Sequence, residues 1–282
     1  MEQAVTFGPD ATLIGVYNPA AASADVCCLL INAGVLHRIG PHRLNVKIAR
    51  SLAQGGVASL RFDLSGRGDS RATAGTNSYS EQAVHDLRAA MDFVQRNGGP
   101  RRFIVFGICS GAVNAFQIAV ADPRVVGIMM LDGYWYRTRW TEPVRLWKRF
   151  RALSARGIFM AVRRRFSRSP SPDAQPPRVD IFATFDTLNP PVPEFAAHMN
   201  RLTARGLDAF FLYSGTVPEL VSYAGQLRDT FRGEAFIPRV RCELHDDIDH
   251  TAVSLHAQRK LVQLVHDWAA RIAGAGRAAA AT

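Results

Sequence analysis

Residues 103–112, with the sequence FIVFGICSGA, constrain the fold of this chain more than any other segment. The apolar run at their start is typical of a buried strand, and the VNAFQIAVA that follows has the spacing of a helix. Between them, Gly107 and Gly111 stand two residues to either side of Cys109. Side chains at these two positions would collide in a tight turn. The segment therefore predicts a strand, a sharp turn with Cys109 at its tip, and a helix.

The rest of the chain repeats the alternation of apolar strands and amphipathic helices. Such alternation predicts an α/β fold with a mostly parallel central sheet covered by helices on both faces. Residues 12–17 alternate as an edge strand would, and Ser78 and Glu81 form a capping box at the start of one helix. The predicted strands are residues 12–17, 25–34, 56–63, 103–107, 125–133, 207–215 and 238–244, and the main predicted helices are residues 40–56, 78–99, 113–121, 193–206 and 252–272.

The alternation stops at Tyr134, where a basic and aromatic segment begins. We interpret residues 134–178 as a helical cap inserted into a core domain formed by residues 1–133 and 179–274. The alanine- and glycine-rich residues 275–282 are predicted to be a frayed, flexible tail.

The predicted cap carries the whole charge imbalance of the chain. Residues 134–178 hold twelve of the 34 Lys and Arg residues but only two of the 24 acidic residues, so the remainder is formally neutral. Aromatic residues, among them Trp147 and Phe150, are interleaved with the arginines. This pattern suits an anionic membrane surface or an acidic acyl carrier protein, while a solvated helix face or the lining of an acyl pocket remain alternatives. Nucleic acid is disfavoured because no nucleic-acid-binding motif accompanies the charge, and no oligomeric state follows from the sequence.

The cysteines show neither zinc-ligand spacing nor a disulfide framework, which favours a reduced, cytoplasmic protein. No apolar run is long enough to span a bilayer, and the first residues lack the features of a signal peptide. His245 and the aspartates around His250 form a cluster, but no second cluster with metal-ligand spacing supports it. We therefore expect no metal and no cofactor.

Four segments, in this order along the chain, carry a resemblance to a known family. They are INAGVLHRIGPHR at 31–43, DLSGRGDS at 63–70, GICSG at 107–111 and DHT at 249–251. Together they resemble the α/β-hydrolase superfamily, and in particular bacterial serine-aminopeptidase-like hydrolases, including those that accompany exosortase and polysaccharide clusters. The chain departs from that pattern at the nucleophile elbow, which has Cys109 in place of a serine.

The resemblance implies an acyl-group hydrolase or transferase acting on an ester or thioester. Cys109 would be the nucleophile, forming a covalent acyl-cysteine, and His250 would be the general base. The oxyanion hole would use the backbone N–H of Ser110 together with that of Gly34 or Val35.

The catalytic acid is less well defined by the resemblance. Related enzymes place an Asp in an S-x-x-D-P-x-L segment after the seventh strand, and Val217 occupies that position here. Glu219 is the nearest replacement and our first expectation, Asp132 is the second, and Asp186 is the third.

Two other interpretations are weighed against this one. Ser110 as nucleophile would put Ile108 two residues before it and crowd the turn. A catalytically degenerate binding protein, which uses its basic cap to bind an acidic partner, is the rival from another functional class, and Val217 is its main support.

Overall fold

A computed structural model describes residues 1–20, 24–73, 76–152, 189–215 and 220–280. The described residues form an eight-stranded sheet. Its strands are β1 (Gln3–Phe7), β2 (Leu13–Asn18), β3 (Val26–Ile31), β4 (Ala58–Phe62), β5 (Arg102–Ile108), β6 (Val125–Leu131), β7 (Asp208–Ser214) and β8 (Arg241–His245).

The sheet has the order β1-β2-β4-β3-β5-β6-β7-β8. β2 is antiparallel to both β1 and β4, and every pairing from β4 to β8 is parallel. The carboxyl ends of β3 to β8 therefore lie along one edge of the sheet, where ligand sites of open α/β sheets form. The predicted edge position of residues 12–17 is wrong, because the unpredicted strand β1 pairs with the outer side of β2.

The helices cover both faces of this sheet, as the sequence predicts. They are α1 (Leu44–Gln54), α2 (Tyr79–Arg96), α3 (Ser110–Ala121), α4 (Thr141–Ala152), α5 (Val192–Ala204), the short α6 (Gln226–Thr230) and α7 (Leu255–Ala280). At the start of α2, Ser78 N–H donates to Glu81 Oε2 at 2.9 Å and the Ser78 hydroxyl accepts from Glu81 N–H, which confirms the capping box. The last helix extends eight residues beyond the predicted end at Ile272 and takes in most of the expected tail from residue 275.

Two apolar layers hold the helices against the sheet. One layer contains Leu87 and Met91 of α2, Phe116 of α3 and Phe195 of α5. The other contains Ile48 and Leu52 of α1 with Leu261 and Trp268 of α7. α3 packs in the first layer, whereas Cys109, at the turn before α3, packs against the second, so the turn is held between the two layers.

Only the beginning of the predicted cap belongs to the described part of the chain. Thr138 Oγ1 lies 2.9 Å from the Tyr223 hydroxyl, which ties this beginning to the core. α4 follows, and residues 153–178 lie outside the described residues. The boundaries of the cap at 134–178 therefore stay a prediction. Within the described residues, no helix combines the length and the apolar character needed to cross a membrane.

Candidate active site

Cys109 sits at the tip of a strained turn between β5 and α3. Its backbone has φ 55° and ψ −119°, in a region that L-residues rarely adopt. Holding a non-glycine residue in such a region costs about 1–3 kcal/mol, which the surrounding structure must offset. The Cys109 N–H donates to the carbonyl of Leu131 at 2.9 Å and thereby fastens the turn to the end of β6.

The two glycines of the elbow are required by close backbone contacts. A Cβ on Gly107 would lie 2.2 Å from the carbonyl oxygen of Gly111. A Cβ on Gly111 would lie 2.7 Å from the carbonyl oxygen of Asn32, at the end of β3. The pattern of small residues around Cys109 thus has the steric cause that the sequence predicts.

His250 and Asp132 meet beside this turn. Asp132 directly follows β6, and His250 lies in the connection between β8 and α7. Nδ1 of His250 is 2.7 Å from Oδ2 of Asp132, and Ser214 N–H donates to Oδ1 of Asp132 at 2.7 Å. With 3% of Asp132 exposed, these two partners hold the carboxylate in a fixed position. The arrangement orients the imidazole with Nδ1 toward the acid.

Cys109 is the second partner of His250. The two side chains are hydrogen-bonded, and because Nδ1 already faces Asp132, the Nε2 atom is the one left for the thiol. The hydrogen bonds to Asp132 and to Cys109 raise the pKa of His250 to about 10, against an opposing effect of burial. A protonated imidazole beside a sulfur atom stabilises the thiolate, which is the reactive form of cysteine.

The backbone donors expected to form an oxyanion hole lie on two sides of Cys109. Ser110 is the first residue of α3, and its N–H has no acceptor in the described part of the chain. Gly34 N–H donates to the Ser110 hydroxyl at 2.7 Å, so its hydrogen-bonding capacity is already used here. Val35 N–H has no acceptor among the described residues, which leaves Ser110 and Val35 as the two open donors of the expected set.

The loop that carries Gly34 and Val35 is fastened by buried polar groups. The carboxylate of Asp63, which directly follows β4, accepts from Arg38 N–H at 2.6 Å and from the Arg38 guanidinium. It also accepts from Asp69 N–H at 3.1 Å. At the other end of the loop, Asn45 donates to the side chain of Asn32 at 2.7 Å. The contacts of Arg38, Asn32 and Asn45 were not predicted from the sequence.

Part of the chain is similar to a known protein family. The family model described as "Serine aminopeptidase, S33" matches residues 34–169. No curated protein matches the sequence.

Solved structures match nearly the whole chain at low sequence identity. An esterase from Pyrococcus furiosus has 14% identity and a TM-score of 0.59, with 95% of this chain and 91% of that chain covered. A thioesterase domain from the curacin biosynthetic pathway has 14% identity and a TM-score of 0.57, with 94% and 99% covered. An α/β serine hydrolase without a lid, from Xanthomonas campestris, has 14% identity and a TM-score of 0.54, with 94% and 92% covered.

The chain has the α/β-hydrolase fold. The resemblance of the four sequence segments to α/β-hydrolases is thereby confirmed. In this α/β-hydrolase-fold protein, Cys109 occupies the elbow that joins β5 to the following helix, whereas the matching family is named for a serine.

One of the three acids expected from the sequence, Asp132, belongs to the part of the chain that the structure describes. Glu219, with Val217, lies outside the described residues, and so does Asp186. Asp132, the second choice, is the carboxylate that the structure places against His250. The sequence carries part of the signal for it, since Asp132 comes at the end of an apolar run, whereas the pairing of that strand with the strand before the elbow is seen only in the structure.

A cavity of about 130 Å³ opens beside the Cys109 thiol. One wall is α3, which contributes Val113, Asn114 and Gln117. The buried rings of Tyr134 and Trp135, at the start of the predicted cap, form another. A concave pocket beside a potential nucleophile is suited to hold part of a small-molecule ligand.

The remaining clusters of acids and histidines are occupied by protein groups. His37, Asp63 and Asp69 lie close enough together to hold a cation, but the Arg38 guanidinium donates to both carboxylates. That guanidinium supplies the positive charge, so the set does not suit a metal ion.

The cluster around His250 is also engaged by neighbouring protein groups. Asp249 accepts from the N–H groups of Thr251 and Val253, which shapes the turn that carries His250. Asp247 pairs with Lys260 at 2.7 Å.

The other three cysteines differ from Cys109 in burial and in the protonation of their thiols. Cys27 and Cys28 are fully buried in β3, and burial raises the pKa of both thiols well above the ordinary value. Burial also raises the pKa of Cys242, to about 12. These three thiols are therefore protonated at neutral pH and unsuited to nucleophilic attack.

Proposed function

We propose that this protein is an acyl-group hydrolase or transferase that acts on an ester or thioester through a covalent acyl-Cys109 intermediate. The observation that carries the proposal is the continuous chain of contacts from Cys109 to His250 and from His250 to Asp132. Nucleophile, base and orienting acid in this order form the arrangement used for acyl transfer on several unrelated folds. Asp132 takes the orienting role in this proposal, and Glu219 is the alternative acid.

The reaction proceeds in two half-reactions. The Cys109 sulfur attacks the carbonyl carbon, the bond from that carbon to the leaving oxygen or sulfur breaks, and His250 gives its proton to the leaving group. Water or another acceptor then attacks the acyl-cysteine. It passes a proton to His250, and the thiolate of Cys109 leaves. Asp132 keeps the imidazole in the required tautomer throughout.

The negative charge that develops on the carbonyl oxygen is stabilised by backbone N–H groups. Ser110 supplies one donor, and Val35 supplies the second while Gly34 N–H remains bonded to the Ser110 hydroxyl. A preorganised donor of this kind typically contributes about 100-fold to 1,000-fold in rate.

The substrate class is inferred from chemistry and from the structural neighbours. Two of those neighbours are an esterase and a thioesterase domain, which supports an ester or thioester substrate. A thioester matches a cysteine nucleophile, since exchange of one thiol for another changes the bond energy little. Hydrolysis and transfer use the same residues here, so the acceptor in the second half-reaction distinguishes them.

The basic cap is proposed to dock an anionic partner, either an acidic acyl carrier protein or an anionic membrane surface. α4 exposes 58% of Trp147 and 71% of Phe150, and the Arg151 guanidinium lies 4.7 Å from the Trp147 ring. Such interleaving of aromatic and cationic groups suits a surface that is both apolar and negatively charged. Replacing Arg145 and Arg151 with Glu should weaken turnover of a carrier-bound or vesicle-bound substrate and leave a small free thioester unaffected.

The rival proposal, a binding protein that has lost catalysis, rested on Val217 at the expected acid position. The contact between Asp132 and His250 weakens that argument, because a carboxylate partner for the imidazole is present without residue 217. The rival predicts that Cys109→Ala leaves partner binding intact and that no acyl adduct forms.

Intact-protein mass spectrometry after incubation with a panel of acyl thioesters tests the proposal. We expect an acyl mass on the peptide that contains Cys109, its loss in Cys109→Ala, and a longer lifetime in His250→Ala. Ser110→Ala is the matched control, since it removes the neighbouring hydroxyl and should keep the adduct. Comparing water alone with added amines or alcohols then separates hydrolase from transferase.

The proposal fails if no thioester or activated ester labels Cys109 in the folded protein. An adduct that persists in Cys109→Ala but disappears in Ser110→Ala would instead identify Ser110 as the nucleophile.

A further inference from the structure

The proposed reaction assigns no role to the hydroxyl of Ser110. This residue directly follows Cys109 as the first residue of α3, and only its backbone N–H enters the oxyanion hole described above. Ser110 is partly exposed and lines the cavity together with Cys109. Its hydroxyl therefore borders the space that a reacting carbonyl group enters.

A hydrogen bond joins this hydroxyl to the loop after β3. Gly34 N–H donates to Ser110 Oγ at 2.7 Å, and the bond lies on an exposed side of the site rather than in the core. The contact links the two segments that supply the backbone donors of the oxyanion hole, the start of α3 and the loop that carries Gly34 and Val35. It places Oγ where these segments meet.

Both partners of this bond are held by the surrounding structure. Cys109 N–H donates to the carbonyl of Leu131, which fastens the turn before Ser110. The buried carboxylate of Asp63 fastens the loop of Gly34 through Arg38. The position of Oγ is thus set before a substrate binds, and a preorganised donor stabilises developing charge without a cost of reorganisation.

The Ser110 hydroxyl keeps a proton to donate in this contact. A serine hydroxyl has one O–H donor and two lone pairs that accept. Gly34 N–H occupies a lone pair and leaves the O–H directed elsewhere. Accepting a hydrogen bond also polarises the O–H, which makes the hydroxyl a stronger donor inside a protein.

The expected position of the substrate oxygen is close to this donor. Donors of an oxyanion hole lie about 2.7–3.1 Å from the oxyanion, and Ser110 N–H is one of the expected donors. Because the side chain of serine is short, an oxygen that accepts from Ser110 N–H is also near Ser110 Oγ. A carbonyl attacked by Cys109 therefore brings its oxygen next to the hydroxyl.

We propose that the Ser110 hydroxyl is a third donor of the oxyanion hole. It accepts from Gly34 N–H and donates a hydrogen bond to the carbonyl oxygen of the substrate, and its proton stays on Ser110 throughout. This inference rests on the proposed acyl-enzyme function. Ser110 is then a catalytic residue through its side chain as well as its backbone, and Gly34 acts through it.

The opposite arrangement is that the substrate oxygen displaces the hydroxyl and accepts from Gly34 N–H itself. In that case the hydroxyl competes with the substrate, and its removal should raise the rate of acylation. The two arrangements therefore predict effects of opposite sign for Ser110→Ala.

The rate of acylation of Cys109 by the butanoyl thioester of N-acetylcysteamine tests the inference. Loss of one oxyanion donor costs about 100-fold to 1,000-fold, and Gly34 N–H becomes free in Ser110→Ala, so we expect a fall of about 10-fold to 100-fold in kcat/KM. The adduct still forms on Cys109, but more slowly. Ser110→Thr keeps a hydroxyl and should restore most of the rate.

An inhibitor that resembles the tetrahedral intermediate gives the second arm. With propyl trifluoromethyl ketone, the Cys109 thiolate adds to the carbonyl carbon and the electron pair of the carbonyl bond moves to oxygen, so the adduct carries the oxyanion. Ser110→Ala should weaken this inhibitor by about the factor lost in kcat/KM, because the hydrogen bond strengthens as charge develops. The Kd of the thioester for Cys109→Ala should change by less than about twofold when Ser110→Ala is added.

Ser80→Ala is the matched control. It removes a serine hydroxyl of α2 that lines the same cavity. We expect it to leave the ratio between inhibitor affinity and thioester affinity unchanged, whereas Ser110→Ala lowers that ratio. Thermal unfolding of each variant establishes that the folded protein is compared.

The outcomes separate this inference from the proposed function. If folded Ser110→Ala is acylated as fast as the wild type or faster, the enzyme proposal stands and the third donor is overturned. Equal losses in Ser110→Ala and Ser110→Thr, or equal losses in inhibitor and thioester affinity, would also overturn it. If the wild type forms no acyl-Cys109 with any thioester, the proposed function fails and this inference fails with it.

Discussion

The Asp132 carboxylate lies 2.7 Å from Nδ1 of His250, although the two residues are 118 positions apart in the sequence. Asp132 directly follows β6, and β6 pairs with β5, the strand that Cys109 follows, so the orienting acid and the nucleophile leave neighbouring strands of the sheet. Its own backbone is fixed as well, since Asp132 N–H donates to the carbonyl of Leu212 at 3.0 Å. The contact joins β6, β7 and the turn of His250 into one support for the imidazole.

Replacing Asp132 with Asn should lower turnover strongly. The amide keeps the shape of the carboxylate but not its charge, so it stabilises neither the required tautomer nor the imidazolium. General-base catalysis typically contributes about 100-fold to 10,000-fold, and a thiol needs less activation than a hydroxyl. We therefore expect kcat for a thioester to fall by about 10-fold to 1,000-fold, measured by release of the free thiol.

Glu219→Gln is the matched control for Asp132→Asn. We expect it to change kcat by less than about twofold if Asp132 is the orienting acid, because its charge would then have no part in the reaction. A larger loss in Glu219→Gln than in Asp132→Asn would reverse the assignment and restore the first expectation from the sequence.

The dependence of kcat/KM on pH should reflect the contact between His250 and Asp132. Hydrogen bonds to Asp132 and Cys109 raise the pKa of His250 from 6.5 to about 10, so the imidazole stays protonated over the neutral range and loses its proton only in alkali. Removing the carboxylate removes one of the causes that raise this pKa. The high-pH limb of kcat/KM should therefore move to lower pH in Asp132→Asn.

The raised pKa of His250 should also make the folded state less stable as the pH rises. The protonated imidazole stabilises the folded state fully below its ordinary pKa of 6.5, and this contribution is lost as pH rises toward about 10. Thermal unfolding of the wild type should thus show a larger decline through the alkaline range than Asp132→Asn shows. Identical profiles for the two proteins would contradict the role assigned to Asp132.

The sequence predicts the fold well because the fold depends on local patterns. Seven of the strands and the elbow follow from apolar runs, glycine positions and helix periodicity within short windows. β1 is not predicted from the sequence because most of its residues are exposed, so no apolar pattern marks it. The last eight residues of α7 are not predicted because the glycines after Ile272 were interpreted as the end of the helix.

The candidate site depends on contacts that no local window contains. Cys109 and His250 are found from motifs, but the acid is decided by which loop reaches the imidazole in space. Gly34 and Ser110 illustrate the same limit, since their hydrogen bond spans 76 residues and occupies a donor that the motif alone would leave open. Such partners follow from strand order and packing rather than from position along the chain.

Selective labelling of one cysteine should follow from the contrast among the thiols. Cys27 and Cys28 are fully buried and Cys242 has a pKa raised to about 12, whereas Cys109 is partly exposed beside a protonated imidazole. We expect iodoacetamide at neutral pH to add one carbamidomethyl group per folded chain, on the peptide of Cys109. Cys109→Ala should remain unlabelled until it is unfolded, and labelling of Cys242 at a comparable rate would contradict the assigned environments.

The anchor of the oxyanion loop should be essential to both stability and activity. The buried carboxylate of Asp63 accepts from the backbone and the guanidinium of Arg38 and from the backbone of Asp69. Removing one partner of a buried pair leaves a desolvated charge and costs about 3 kcal/mol. Asp63→Ala should lose about that much free energy of unfolding, measured by urea denaturation. Displacement of the loop by about 1 Å should also lower kcat/KM by about 100-fold.

Asp69→Asn separates this effect from a general loss of charge around Arg38. The Asp69 side chain is exposed, and exposed ion pairs contribute little because solvent screens them. We therefore expect its urea midpoint and kcat/KM to stay close to those of the wild type. Equal losses in Asp63→Ala and Asp69→Asn would mean that Arg38 is held by the exposed pair, and the buried carboxylate would not be the anchor of the loop that carries Gly34 and Val35.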